Sequence, residues 1–483
     1  MSVAARMWPV VAAVMVAVWT GSALAVGSPE LSKVLPRGGQ RGQEVVVEFS
    51  GNRLDKALDV VFHQPGIQLA KLEQIDARRV KCAFKIDPAA RIGLYTLRLR
   101  TAFGVSDLKL FAVGSLPEAA EAEPNNDLKK PQDIKPPVTM NGVITGEDVD
   151  VFAFEARKGQ TFGFEVYGMR LGDTLFDPRL AVLDEAGREL AVADDTPLVR
   201  QDSAAVVTFP ADGRYYAVVR ETAYGGSGDC FYRLSVGAFP RPLAVLPAGG
   251  KAGTEVELNW IGDPAAGKQK VKLPDAPLDD FDILPVAGEV CAPSPVPFRL
   301  NALPAVIEAE PNNDDDHATS MPAPGGASGV ISGERDVDCF VFEAKKGQVF
   351  EAAVYARRLR SPLDSVLNVR RHKGPGVTGA DDSAGPDSVC RFTCPDDGRH
   401  VLEVRDLLFK SGPEFTYYLE LAPVAARLTL SVLPERAAVA VPSGNRAAVL
   451  LTASRADFGG PLVLAPAGLP PGVLVHADTL LVA

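Results

Sequence analysis

Two short segments of this chain carry oxygen-bearing side chains at a spacing that suits a hard cation. The heptapeptide EAEPNND occupies residues 121–127 and recurs at residues 308–314. If the first segment is extended, as the proline after its second glutamate favours, then Glu121, Glu123 and Asn125 point the same way. Because calcium takes about six to eight oxygen ligands from carboxylates and amides, the spacing predicts a calcium site.

A second acidic pair follows each heptapeptide. Asp148 and Asp150 open a predicted strand in the first copy, and Asp336 and Asp338 take the same place in the second. Residues two apart in a strand share a face, so each pair can add two carboxylates to one site. The alternative is a solvated linker and turn, in which Asn and Asp side chains cap nearby backbone groups.

The acidic motifs belong to a long duplicated segment. ITGEDVDVFAFEARKGQ at residues 144–160 corresponds to ISGERDVDCFVFEAKKGQ at residues 331–348. Both copies continue through a D-D pair, a D-S pair and a D-G turn in the same order. A repeat spacing of about 190 to 210 residues indicates domain duplication, because solenoid repeats have much shorter periods.

Short alternating runs separated by turns predict that both copies are built from strands. Phe152 and Phe154 share one strand face, as do Phe162, Phe164 and Val166. Asp-Gly and similar turn signals separate the runs, and no long amphipathic helix stands out. The expected fold class is all-β, with tandem antiparallel β-sandwich modules.

Smaller segments precede each duplicated one. VLPRGGQRGQEVVVEFSG at residues 34–51 is partly repeated as VLPAGGKAGTEVELNWIG at residues 245–262. We expect a signal peptide over 1–25, small module 1 over 26–116, large module 1 over 117–240, small module 2 over 241–304, large module 2 over 305–425, and a partial, truncated module over 426–483. In the last module, strands are expected at 428–433 and 447–453.

The N-terminus has the pattern of a secretory signal. Arg6 precedes an apolar run over residues 8–19, and an A-x-A cleavage site follows, so the mature chain should begin near Val26. The run is short for a bilayer about 30 Å thick, so we expect no membrane span after cleavage. An uncleaved N-terminal anchor is the alternative. The expected location is secreted, or periplasmic at the cell envelope.

Net charge and cysteine usage narrow the classes of partner. The formal net charge of -11 disfavours nucleic acid and anionic membranes and is compatible with cation binding. The expected partner is an extracellular or cell-envelope protein or polysaccharide. Six cysteines without a CxxC pair are few for an exported chain and predict small buried residues. A bridge from Cys339 to Cys390 or Cys394 is the alternative.

No catalytic motif accompanies the acidic segments. The sequence has five histidines, and it lacks a GxSxG elbow, an HExxH helix and a phosphate-binding glycine loop. His317 lies in a Pro/Gly-rich loop, and His400 takes the position of Tyr215 in the repeat, so both are interpreted as structural. The sequence predicts a protein that is not an enzyme, unless a catalytic domain follows residue 483.

The ordered motifs resemble those of the bacterial pre-peptidase C-terminal (PPC) domain. The resemblance covers residues 118–240 and 305–425 and rests on ExEPNND, DVD before an F-x-F strand, KGQ and D-D. It implies PPC/jelly-roll-like sandwiches that accompany peptidases without being catalytic. The small modules, with P-x-G-G-x-x-G before a strand, resemble immunoglobulin-like TIG domains, and the alternation of the two resembles exported proteins of planctomycete-like bacteria.

The resemblance also implies a ligand set. In calcium-binding PPC domains, the ExExN segment and the acidic residues before the next strand supply ligands, and we expect about one ion per domain. The matching positions in this chain are Glu121, Glu123, Asn125, Asn126, Asp148 and Asp150, and then Glu308, Glu310, Asn312, Asn313, Asp336 and Asp338.

Three functions follow as hypotheses. The leading one is a non-catalytic exported binding or scaffold protein with calcium-assisted modules. The second is an accessory region of a secreted peptidase whose catalytic domain is not in this chain. The third is a glycan- or matrix-binding module that uses exposed tyrosines such as Tyr224 or Tyr418, although the alternating pattern favours burial of most tyrosines in the core.

Overall fold

The chain folds almost entirely into short β-strands. A computed structural model describes residues 27–172, 174–263, 266–383, 385–424, 426–433, 439, 441 and 443–475, so the expected signal peptide lies outside the described residues. Within the described part, the helices are two 3-10 turns, Met169–Leu171 and Arg357–Leu359. This confirms the all-β fold class. No helix of the described part is long and apolar enough to cross a membrane.

Small module 1 consists of two facing sheets. Its strands are β1 Glu30–Leu35, β2 Gly38–Gln40, β3 Glu44–Asn52, β4 Ala57–Phe62, β5 Ile67–Gln74, β6 Arg79–Ile86, β7 Gly93–Thr101, β8 Gly104–Val105 and β9 Lys109–Gly114. One sheet has the order β1-β3-β6-β5, and the other has the order β2-β9-β7-β4 with β8 beside β7. Only β2 and β9 pair in parallel. The chain therefore leaves the module beside its Gly-Gly strand.

Large module 1 is a sandwich of two five-stranded sheets. Its strands are β10 Glu118–Ala120, β11 Gln132–Asp133, β12 Val138–Val143, β13 Val149–Ala156, β14 Thr161–Tyr167, β15 Pro178–Leu183, β16 Glu189–Ala193, β17 Ala204–Thr208, β18 Gly213–Glu221 and β19 Phe231–Gly237. The orders are β10-β12-β19-β14-β17 and β11-β13-β18-β15-β16. The short first strands, β10 and β11, pair in parallel with β12 and β13. They hold the acidic segment, which connects them, against the sandwich.

Small module 2 has shorter strands than small module 1. They are β20 Ala244–Leu246, β21 Gly249–Lys251, β22 Glu255–Ile261, β23 Lys268–Lys272, β24 Asp282–Ile283, β25 Val286–Ala287, β26 Val290–Cys291, β27 Val296–Pro297 and β28 Arg299–Asn301. The parallel pair of β21 with β28 corresponds to the pair of β2 with β9. The Gly-Gly strand therefore takes the same place at the exit of both small modules.

Large module 2 repeats the sandwich of large module 1. Its strands are β29 Ala305–Ile307, β30 Thr319–Ser320, β31 Gly325–Val330, β32 Asp338–Ala344, β33 Val349–Tyr355, β34 Ser365–Arg371, β35 Gly376–Asp381, β36 Val389–Thr393, β37 Gly398–Asp406 and β38 Thr416–Pro423. The orders are β29-β31-β38-β33-β36 and β30-β32-β37-β34-β35. The strand-by-strand match gives each strand of one sandwich a defined counterpart in the other.

A hairpin follows large module 2. It pairs β39 Arg427–Ser431 with β40 Thr452–Ala456, so the second strand lies later than the 447–453 expected from sequence. Arg427 pairs with Glu351, and Asp457 pairs with Arg391, both across to large module 2. Apolar side chains of this hairpin are exposed. Burial in a core therefore does not set the ends of its strands, although a prediction from hydrophobic periodicity assumes that it does.

The alternating aromatic residues form the core of each sandwich, as predicted. Phe152, Phe154, Phe162, Phe164 and Val166 all lie in the buried cluster between the two sheets of large module 1. The six cysteines are buried and unpaired, which confirms their interpretation as small core residues. Hydrophobic burial between paired sheets is therefore the main stabilising force in each module.

Buried ionic contacts join consecutive modules. Glu165 of large module 1 is fully buried, and its Oε2 lies 3.0 Å from Nε of Arg241, at the start of small module 2. Arg170 Nη2 lies 3.1 Å from the other oxygen of the same carboxylate. Although burial acts to raise it, the guanidinium groups of Arg241 and Arg170 hold the pKa of Glu165 below its usual value. Small module 2 is thus held to large module 1 by a paired, desolvated charge.

We expect Arg241→Met to destabilise the protein by about 3 kcal/mol, because it leaves a buried carboxylate with one cation instead of two. The midpoint of urea denaturation measures this effect. The matched control is Arg188→Met, which removes an ion pair to Asp184 whose arginine is 81% exposed. The control should cost about 0–1 kcal/mol. Equal midpoints for the two variants would contradict the importance of the buried pair.

Candidate metal centre

The acidic segment of large module 1 lies against the sandwich without forming a strand. Glu121 N donates to Asn141 O at 2.9 Å, and Val151 N donates to Asn125 O at 3.0 Å. These two bonds attach the segment to strand β12 of one sheet and strand β13 of the other. Residues 121–127 contain no strand, so these bonds to the sandwich hold the segment in place. The side chains are brought together by the hydrogen bonds between the segment and the sandwich.

Carboxylates from both motifs converge at this point. Glu123, Asp148 and Asp150 each place a carboxylate oxygen within 4.8 Å of the others. Asp150 is fully buried and Asp148 is 4% exposed, whereas Glu123 is exposed. Asp148 is oriented by Thr145, whose N and Oγ1 both donate to Asp148 Oδ2 at 3.1 and 3.0 Å. The segment and the DVD turn, which are distant in sequence, therefore form one site.

The amide of Asn125 points its oxygen at this group. Its Oδ1 faces Glu123 Oε2 and Asp150 Oδ1, at 3.1 and 3.2 Å, and Asn125 is fully buried. Three oxygens without a shared proton repel one another at such distances. The repulsion is relieved either by turning the amide, so that its nitrogen donates to both carboxylates, or by a cation among the oxygens.

Large module 2 repeats the arrangement. Glu310, Asp336 and Asp338 form the carboxylate group, and the amide oxygen of buried Asn312 lies 3.1 Å from Asp338 Oδ1 and 3.2 Å from Glu310 Oε2. Asp336 Oδ2 accepts from the backbone N of Ser332 at 2.7 Å. The two copies differ in the turn sequence before the DVD motif, yet the same oxygens face one another.

A glutamate and a tyrosine line the inner wall of the first site. Glu121 Oε1 accepts from Val143 N at 2.8 Å, and Tyr232 OH donates to Asp150 Oδ2 at 2.5 Å. Tyr232 OH also lies 3.3 Å from Glu121 Oε2. Burial raises the pKa of Glu121, and burial reinforced by the charge of Glu121 raises the pKa of Asp150 to about 9. Without a cation, Asp150 therefore holds a proton at neutral pH.

The same wall occurs in the second site. Tyr417 OH donates to Asp338 Oδ2 at 2.5 Å, and Val330 N donates to Glu308 Oε1 at 2.8 Å. Burial raises the pKa of Glu308 to about 7 and, with the charge of Glu308, that of Asp338 to about 10. Glu308 Oε2 is buried and lacks a hydrogen-bond partner. That orphaned oxygen fits a site completed by a cation.

Asn126 and Asn313, the second asparagine of each heptapeptide, are both exposed. Asn126 donates from Nδ2 to Asp148 Oδ1 at 2.6 Å, and its Oδ1 accepts from Asn125 N at 3.1 Å. Its oxygen is thus directed at the backbone of the segment. The remaining predicted positions, Glu121 and Glu308 included, face the sites as described above.

Each sandwich holds a further acidic cluster, which the sequence analysis did not predict as a site. The members are Asp177, Asp194 and Asp195 in large module 1, and Asp364, Asp381 and Asp382 in large module 2. The D-D pairs recur in both copies of the repeat, and this recurrence is a signal in the sequence that points to the clusters. Thr222 Oγ1 donates to Asp194 at 3.0 Å, and Arg357 lies 3.6 Å from Asp364. Hydroxyl and guanidinium groups therefore already partner these clusters.

The tyrosines proposed as glycan or matrix contacts fall into two classes. Tyr232, Tyr417 and Tyr418 are fully buried, and Tyr216 is 7% exposed, so they belong to the interior. Tyr224 is 55% exposed, and the guanidinium carbon of Arg220 lies 4.0 Å from the centre of its ring. His400 is buried and stacks on Phe342, which agrees with a structural role.

Comparison with known proteins gives local similarities. No family model matches the chain. A probable subtilase-type serine protease from Deinococcus radiodurans is 40% identical over 86 residues, which are 17% of this chain and 12% of that protein. The similar region thus spans a small part of that curated relative.

Two solved structures are similar to parts of the chain. The pre-peptidase C-terminal domain of a collagenase from Bacillus anthracis is 20% identical, with 25% of this chain and 96% of that chain covered and a TM-score of 0.18. PliG from Salmonella Typhimurium, a periplasmic lysozyme inhibitor of g-type lysozyme, is also 20% identical, with 22% and 97% covered and a TM-score of 0.15.

In metal-free protein, we expect stability to fall as the pH rises. Asp150 and Asp338 have pKa values raised to about 9 and about 10 in the folded state, whereas unfolded aspartate titrates near about 4. The folded state therefore binds protons that the unfolded chain has released. The resulting stabilisation is complete below about pH 4 and is lost as the pH rises through the folded pKa values.

Melting in EDTA at about pH 6 and about pH 9 measures this slope, and a loss of 1 kcal/mol corresponds to roughly 3 °C. The double variant Asp150→Asn/Asp338→Asn, which cannot ionise at either position, should show a flatter dependence. A melting temperature that rises with pH in the unsubstituted protein would contradict the assignment of protons to these two carboxyl groups.

Proposed function

We propose that this chain is a non-catalytic, exported binding or scaffold protein in which calcium binds once in each large module. The observation that carries the proposal is the convergence of the Glu123, Asp148 and Asp150 carboxylates in large module 1, repeated by Glu310, Asp336 and Asp338 in large module 2. Its partner would be an extracellular or cell-envelope protein or polysaccharide, and its location the secreted or periplasmic space.

The chemistry of the donor set supports calcium over softer metals. The acidic clusters found among the described residues contain carboxylates without histidine or cysteine, and the amide of Asn125 lies beside the first of them. Oxygen-only sites suit calcium, whereas imidazole and thiolate donors select zinc and copper. In large module 1, Glu123, Asn125, Asp148 and Asp150 would hold the ion, with Glu121 at the inner wall. In large module 2, Glu310, Asn312, Asp336 and Asp338 would do so.

The ion would act as a clamp on the connection between modules. Three residues separate β9, the last strand of small module 1, from β10, which pairs with β12, and the acidic segment follows at once. A cation shared by Glu123 of this segment and Asp150 of β13 would tie the connection to both sheets. The angle between small module 1 and large module 1 would then depend on calcium.

An accessory role beside a secreted peptidase is the second candidate. The 86-residue similarity to a probable subtilase-type serine protease favours it. The coding sequence after Ala483 is the direct test, since a hydrolase domain there would support this role. Further β modules or a stop codon would instead support a scaffold. Neither outcome alters the calcium proposal.

We expect about two calcium ions to bind per chain and to raise the melting temperature. At a calcium concentration of 100 times the dissociation constant, binding stabilises a module by about 2.7 kcal/mol. Glu123→Gln removes a ligand charge in large module 1 and should reduce the stoichiometry to about one ion. Isothermal titration calorimetry measures the stoichiometry, and calorimetric melting with EDTA or calcium measures the stabilisation.

The matched control is Glu147→Gln, which removes the same charge from an exposed position beside Asp148 and outside the carboxylate group. It should keep both ions. Glu310→Gln should remove the other ion, in large module 2. If calcium and EDTA give the same melting curve and no heat of binding is detected, the calcium proposal is wrong.

A further inference from the structure

We propose that the junction of small module 1 with large module 1 and the junction of small module 2 with large module 2 are matched pairs that cannot exchange partners, because the two junctions share one geometry and carry mutually incompatible side chains. Small module 1 docks on large module 1 through β9 and β19, and small module 2 docks on large module 2 through β28 and β38. This inference concerns pairing between modules and is independent of metal binding.

The shared geometry rests on the first glycine of each Gly-Gly strand. A Cβ at Gly38 would lie 1.1 Å from Nη1 of Arg233, and a Cβ at Gly249 would lie 2.4 Å from Cδ2 of Tyr418. Strand register shows that Arg233 and Tyr418 are counterparts, since each directly follows the tyrosine that contacts Asp150 or Asp338. The P-x-G-G motif therefore provides a flat backbone surface for one side chain of the large module.

In the first junction, that side chain is a cation. Arg233 Nη1 donates to Ala112 O of small module 1 at 2.7 Å, and Nη2 pairs with Glu118 Oε1 at 2.5 Å. Arg233 is 3% exposed, and a Cβ at Gly114 would lie 3.4 Å from its Nη2. Strands β2 and β9 offer backbone and small residues here, which leaves room for the guanidinium group, while burial and the charge of the nearby Arg233 lower the pKa of Arg37 in small module 1.

In the second junction, the cation belongs to the small module. Arg299 of small module 2 pairs with Glu420 of large module 2, with Nε 2.8 Å from Oε2. Asn301 Nδ2 donates to Tyr418 OH at 3.1 Å and to Glu420 Oε2 at 3.0 Å. Both charged side chains are 14% exposed, so the pair is largely desolvated. Here the small module supplies the cation and the large module the anion.

The register defines which residues correspond. Ala112 and Gly114 of β9 correspond to Arg299 and Asn301 of β28, and on the large modules Arg233 and Ser235 correspond to Tyr418 and Glu420. Glu118 corresponds to Ala305. The two junctions thus differ at every one of these positions.

Exchanged pairing would be penalised in both directions. Small module 2 on large module 1 would bring Arg299 beside Arg233, with Ser235 in place of a carboxylate. Small module 1 on large module 2 would leave Glu420 buried without Arg299. Like charges in contact and buried unpaired charges are both strongly unfavourable. Because duplicated modules tend to misassemble with the wrong neighbour, this difference would keep the pairs in order.

The test converts one junction into the other in the full chain. The half exchange Arg299→Ala/Asn301→Gly gives small module 2 the residues of small module 1. We expect cleavage of the second junction by thermolysin to become at least roughly tenfold faster, since Glu420 loses its partners. The full exchange adds Ala305→Glu, Tyr418→Arg and Glu420→Ser in large module 2, and should restore protection.

Two controls keep the test decisive. Glu420→Gln preserves side-chain volume, and it should accelerate cleavage in the same direction even if the half exchange folds poorly. Calorimetric melting of large module 1 should be unchanged in all variants. Cleavage within about twofold of the unsubstituted protein for the half exchange and Glu420→Gln would overturn the proposal. A full exchange as labile as the half exchange would also overturn it, because the residues would then not act as a matched set.

Discussion

A carboxylate that is fully buried must be neutralised, and this constraint governs the large modules. Asp150 and Asp338 end the DVD motif and lie on β13 and β32 with no solvent exposure, and each accepts a hydrogen bond from a buried tyrosine. One hydroxyl does not offset the desolvation of an ionised aspartate beside a second carboxylate. The group therefore takes either a proton or a cation. The same choice arises twice in the chain.

The position of that aspartate explains why the acidic segment is placed as it is. Asn125 O accepts from Val151 N, directly after Asp150, so the backbone of the segment continues the hydrogen bonding of β13. The carboxylate of Glu123 and the amide of Asn125 are thereby brought over the buried oxygen. The site sits where one module is connected to the next, and a cation there would act on the connection as well as on the sandwich.

The contacts between modules are polar and buried, which distinguishes this chain from modules joined only by flexible linkers. Glu165 with Arg241, and Glu420 with Arg299, each join a large module to a small one. Such pairs contribute little net stability relative to apolar contacts, yet each is costly to separate from its partner. They therefore favour one arrangement of the modules. In the two small-to-large junctions the charges are distributed differently, so duplication of the fold was accompanied by divergence of its surfaces.

Much of the fold and part of the site were determined by the sequence alone. The period of two in F-x-F and the repeated turn signals predicted the strands, because local sterics and burial of one face act over a few residues. The recurrence of EAEPNND and DVD predicted which acids belong together. The tertiary structure decided what neighbouring residues cannot specify: that Tyr232 and Tyr417 close the inner wall, that Asn126 turns its oxygen to the backbone, and that Arg233 and Tyr418 are counterparts in different junctions. These depend on strand register and on contacts between residues far apart in the chain, where a change of one position in pairing moves a side chain to the opposite face.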